Sequence, residues 1–144
     1  ALALPRDDGP VLDPRYFVYY EDLDAQWRGR LAGRGVRYAP RSLVRHVHGA
    51  AAGDASPLFW FHVERNRALT ALRDADPFLA AWSALLLFAK AAQAVLTAAG
   101  RGRGPKGRWP VAWAVVRAVG SYLRLAPVVL GERFHVRGGR RCGC

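Results

Sequence analysis

Three carboxylates, Glu21, Asp22 and Asp24, fall within four positions of a chain whose formal net charge is +11. They stand directly behind an aromatic run, Tyr16-Phe17-Val18-Tyr19-Tyr20. Acid gathered against an aromatic wall has two chemical readings. One is a helix N-terminus, where the macrodipole favours anions by about 0.3–1 kcal/mol each. The other is a general base. Two further clusters carry reactive side chains. His46 and His48 alternate with Val47, which puts both imidazoles on one face of a strand, and Arg65 and Arg67 flank Asn66. The histidines are either a solvated strand face or metal ligands, and the arginines either helix surface charges or phosphate contacts. Asp7-Asp8 lies in a Pro/Gly loop and reads as an ordinary turn.

The elements that must hold these groups follow from period and punctuation. Leu2 and Leu4 could end a strand, and Pro5 to Pro14 is turn-rich. Tyr16 to Tyr20 is β-prone. From Asp22 the period changes, because Leu23, Trp27 and Leu31 recur at i, i+4 and i+8 of an amphipathic helix that Gly33 and Gly35 end. Two β-like pieces follow, 36–39 and 43–48, and then a small-residue loop from Gly49 to Pro57. Ser56-Pro57 introduces a second helix, which Pro77 interrupts.

Phe78 to Ala99 is long and apolar, with Ser83, Lys90, Gln93 and Thr97 on one helical stripe. Its roughly 33 Å could cross a bilayer, but Lys90 near the middle costs about 2.5–3.5 kcal/mol there. A helix lying in the interface, or packed on protein, fits better. Residues 101–109 read as a basic linker. Beyond them Arg117, Ser121 and Arg124 form a narrow polar stripe on an apolar helix that also carries Trp109, Trp113 and Tyr122. That composition suits a helix on an anionic membrane surface, or one of a core pair with exposed arginines.

Composition bounds the class. A chain of 144 residues with 51% hydrophobic and 11% aromatic residues is not disordered, and its pI near 11.0 points to an anionic partner. Six of the acids precede residue 25, whereas from Arg101 onward only Glu132 opposes ten basic residues. Cys142 and Cys144 are the only cysteines, so no disulfide framework holds the fold. The basic residues lie between long apolar faces without a nucleic-acid motif, which argues against nucleic acid as a partner.

YFVYYEDLDAQWRGRLAGRGVRYAP, then VRHVHG, then SPLFWFHVERNR resembles the C-terminal half of the catalytic domain of family-2 glycosyltransferases. The bacterial rhamnosyltransferase-like and galactofuranosyltransferase-like members are the most similar. The resemblance implies an α/β fold: residues 1–76 would be the acceptor-side part of a nucleotide-diphospho-sugar transferase (GT-A-like) domain. Residues 77–144 would be helical, membrane-associated and basic at the end. It implies Asp22 as the base that takes the acceptor hydroxyl proton, with Glu21, Asp24, Tyr20 and Trp27 on the acceptor. It implies His46 or His48 as a ligand to Mg²⁺ or Mn²⁺, and Arg65 and Arg67 on the diphosphate side. The reaction would be inverting sugar transfer from a nucleotide-diphosphate donor to a glycan or polyprenyl-diphosphate-linked acceptor, in cell-wall or surface polysaccharide synthesis. It would take place in the bacterial cytoplasm, on the inner face of the membrane. The donor-binding half is expected upstream, so the chain alone is expected to be inactive. A non-catalytic, membrane-associating basic helical module is the alternative.

Overall fold

The computed structural model describes residues 11–35, 37–43, 45, 55–100 and 109–138, with side chains up to 134 in the last segment. Four helices account for most of them: α1 (Glu21–Leu31), α2 (Pro57–Asp74), α3 (Pro77–Ala99) and α4 (Trp109–Gly138). Their boundaries have local causes. Ser56 accepts a hydrogen bond from the Phe59 amide at 3.1 Å, with Pro57 at the first helical position, and α2 begins there. Asp76 and Pro77 repeat the device at α3, where the Leu79 amide donates to Asp76 at 3.0 Å. Thus Pro77 separates two helices by starting the second.

Helix α1 ends in a Schellman turn. The Gly33 amide donates to the Arg30 carbonyl and the Arg34 amide to the Gly29 carbonyl, with Gly33 at φ +78°. Its start has no side-chain cap, since Tyr20 occupies the N-cap position in the left-handed region. Charge from Glu21, Asp22 and Asp24 complements the dipole instead.

Helix α2 is central. It packs on α1, α3 and most extensively on α4, which runs through Pro127 without breaking. The buried apolar cluster joins Tyr16 with Ala68 and Leu69 of α2, Leu87 of α3, and Ala118, Tyr122 and Val129 of α4. The two regions expected from sequence, 1–76 and 77–144, therefore share one core.

The expected α/β fold is not what forms. The protein is all-helical, and no strand occurs among the described residues. The aromatic run fails as a strand because Phe17, Tyr19 and Tyr20 have φ of 63°, 64° and 69°, outside extended backbone. Its carbonyls meet side chains of α2 rather than a neighbouring strand. The first β-like piece is irregular over 37–39, and Tyr38 there is 89% exposed, without the backbone partners a sheet requires. Of the second, Val44 and His46–His48 lie outside the described residues, and Leu43 is 92% exposed.

Candidate functional site

The acidic motif and the Arg-Asn-Arg motif come together, 45 or so positions apart in sequence. The junction is a strained loop. Three bulky residues at positive φ cost on the order of 1–3 kcal/mol each unless their surroundings impose the conformation. Asn66, fully buried on α2, imposes it: its side-chain amide donates to the carbonyls of Tyr16, Val18 and Tyr19 at 3.0, 2.9 and 2.8 Å. Arg65 reinforces the clamp by donating to the Arg15 carbonyl at 2.7 Å, the Tyr16 carbonyl at 3.2 Å and Asn66 Oδ1 at 2.8 Å.

The three acids then have three different fates. Asp24 is 0% exposed. It accepts from the Tyr16 hydroxyl at 3.1 Å, from Arg73 at 2.9 Å and from Arg28 at 2.9 Å. Arg73 also holds Asp13 and Glu132, so one guanidinium ties the loop, α1 and α4 to α2. Asp22 is exposed, and its only described partner is the adjacent Leu23 amide at 2.7 Å. Glu21 is half-buried, and its Oε2 is enclosed without a hydrogen-bond partner.

Beside this helix start, α1, α2 and α3 enclose a cleft of about 210 Å³. Tyr20, Trp27 and Arg67 line it, three residues that sequence reasoning singled out, and Trp82, Leu79 and Leu86 close it from α3. Arg67 is oriented within it by Glu64 at 3.0 Å and by the Ser83 hydroxyl at 2.8 Å, while its Nε is buried without a partner. Burial raises the Tyr20 hydroxyl above its ordinary pKa, and the nearby Arg67 cation opposes this. Asp22 is not part of the wall; it stands between the lining residues Tyr20 and Leu23. The cleft therefore gathers aromatic side chains around one cation, Arg67, a lining suited to a ring that carries an anionic group.

Arg65 does not reach the cleft. It is buried among backbone carbonyls and 3.2 Å from His62 Nδ1, and burial lowers its pKa. A guanidinium only donates, so His62 Nδ1 is an acceptor there. Burial and the Arg65 charge lower the His62 pKa, and its ring packs on Phe17 and Phe61. His46 and His48 lie outside the described residues, so their relation to Asp22 does too. Among the described residues no group of three or more His, Cys, Asp or Glu side chains comes together to hold a metal ion.

Sequence reasoning quoted Asn66 without giving it a role and passed over Trp82 and Arg73. An amide between two arginines on a helix was the available signal for Asn66; nothing in the sequence marked Trp82 as facing α1. Two helices are long and apolar enough to cross a membrane by length and composition, α3 and the Trp109–Phe134 part of α4. The chain matches no protein-family model, no curated protein and no solved structure.

Proposed function

We propose that this chain supplies the acceptor side of an inverting sugar transfer, from a nucleotide-diphosphate donor to a glycan or polyprenyl-diphosphate-linked acceptor at the inner face of a membrane. The observation that supports this most is the cleft of Tyr20, Trp27, Trp82 and Arg67, which opens beside the start of the helix that carries Asp22. The reading rests on these motifs and their contact, not on a nucleotide-binding sheet.

The acceptor's ring stacks on the indoles, and its phosphate is drawn by Arg67. Asp22 at the helix start takes the hydroxyl proton as that oxygen bonds to the sugar's anomeric carbon and the diphosphate departs with the electron pair. The base need not be strong, because the hydroxyl becomes acidic only as the new bond forms. Glu21 orients the hydroxyl from the buried side.

Asp22→Asn in the complete encoded protein should abolish transfer to a lipid-linked acceptor while leaving the thermal midpoint unchanged. Turnover like that of the unsubstituted protein would refute the base assignment. A second reading, a non-catalytic membrane-associating module, is favoured by the bulky apolar residues that α3 turns outward. Under it, Asp22→Asn changes nothing and membrane binding is the whole function.

A further inference from the structure

Helix α3 is inside out. The face it turns to α2 and α4 holds Ala80, Ser83, Leu87, Ala91 and Ala98, mostly small side chains. Two members of its polar stripe reach toward the protein: the buried Ser83 accepts from Arg67, and Lys90, itself part-exposed, donates to the buried Glu64 at 2.5 Å, while Gln93 is exposed. The bulky residues point away. Phe78 and Leu96 are 78% and 72% exposed, and Leu85 and Phe88 are exposed between them. A surface helix in water does the reverse, burying its large apolar residues and exposing its polar ones. Small residues at the helix contact and large ones outside is the packing used where lipid is the solvent. Only 17% of the apolar span of α3 is buried within the molecule, so it is not a core helix.

Helix α4 continues the pattern with charge added. It buries Ala112, Ala114 and Ala118, with the larger Val115, Tyr122 and Val129 beside them, and exposes Trp113 and Phe134 together with Arg117 and Arg124. Lys90, which counts against a bilayer crossing when read in sequence, is paired with the buried Glu64. Because α2 backs both helices, only their outer faces remain for lipid.

We infer that α3 and α4 form a one-sided membrane-embedding platform for an anionic bilayer. The outer face of α3 lies among the upper acyl chains, and Arg117 and Arg124 contact lipid phosphates. This goes beyond the sugar-transfer reading and does not depend on it, since it follows from helix polarity alone.

The test is flotation of the full chain with phosphatidylcholine vesicles, with and without phosphatidylglycerol. Binding is expected only with the anionic lipid at low salt, weakening as salt rises. Leu85→Lys and Phe88→Lys should each reduce binding at least about tenfold, with helicity by circular dichroism unchanged. Arg124→Gln should reduce it about fivefold, and Leu43→Lys, even more exposed but outside α3 and α4, should have no effect. Depth is read from an environment-sensitive label on Phe88→Cys, with Cys142→Ser and Cys144→Ser; quenchers near the headgroups should act more strongly than those at chain ends. Absence of flotation would overturn the inference, as would flotation unaffected by Leu85→Lys. A label at the bilayer centre would contradict one-sided placement. A lipid-free dimer split by Leu85→Lys would assign the face to self-association.

Discussion

The two sides of α2 are built on opposite rules. Toward α1 and the preceding loop, the interior is polar: Asp13, Asp24, Asn66, Arg65, Arg73 and Asp74 are all buried there. Toward α3 and α4 the contact is made of alanines, serines and a few larger residues, while the large hydrophobic side chains face outward. A polar interior is expensive to assemble and tolerates little change, because breaking one buried pair leaves a charge without its partner. A surface of outward phenylalanines and leucines adds little to folding in water. The difference separates residues that define shape from residues that define what the shape touches.

Breaking the polar side should have the largest consequence. Arg73→Met removes the cation shared by Asp13, Asp24 and Glu132, and should cost about 3–5 kcal/mol in a denaturant titration. Asn66→Leu removes the amide donor of the Val18 and Tyr19 carbonyls and one of the donors of the Tyr16 carbonyl, and should cost about 1–3 kcal/mol while freeing the positive-φ loop to relax.

The polar side should also carry the pH dependence. Burial, with the Asp24 charge beside it, pushes the Asp74 carboxyl up to about 7, and its Oδ2 has no hydrogen-bond partner. The folded protein thus keeps a proton that the unfolded chain releases near 4, so stability falls as pH rises from about 4 to about 7. Asp74→Asn should flatten that slope and raise stability above neutrality by on the order of a few kcal/mol. Asp13 behaves oppositely. Burial alone would raise its carboxyl, but hydrogen bonds from Arg15 and Arg73 hold it well below the usual range. Its contribution is present above about pH 4 and is lost on acidification below that.

Smaller effects sharpen the contrast. Gly33→Ala meets no atom within 4 Å but takes a φ of +78°, so it should cost about 1 kcal/mol through backbone strain alone. Leu85→Ser, on the outward face, should shift stability in lipid-free buffer by no more than about 0.5 kcal/mol.

Helices were legible in the sequence where local chemistry decides them. Ser56-Pro57 is the observed cap of α2, Gly33 is the observed end of α1, and the Leu23–Trp27–Leu31 spacing marks α1 itself. The β-prone run Tyr16–Tyr20 does not form a strand because aromatic β-propensity expresses fit to a neighbouring sheet, and here Asn66 supplies the partners instead. The polar stripe of α3 was read correctly as a stripe, but periodicity does not say which side faces protein; Lys90 meeting Glu64 is a tertiary fact. Within the site, Tyr20, Trp27 and Arg67 were legible as types and spacings. The separation of Asp22 from Asp24 was not, since both occupy one helical turn and the positions of Tyr16 and Arg73, brought in by the fold, set Asp24 apart together with its Arg28 pair.

The central functional claim is that an acceptor occupies the cleft between α1, α2 and α3. Fluorescence titration of the full chain with a polyprenyl-diphosphate-linked saccharide tests it most directly, because Trp27 and Trp82 form two of the walls. Saturable quenching is expected, lost in Trp27→Ala, weakened about tenfold in Arg67→Gln and unchanged in Asp22→Asn. Equal binding by Trp27→Ala and Arg67→Gln would contradict it.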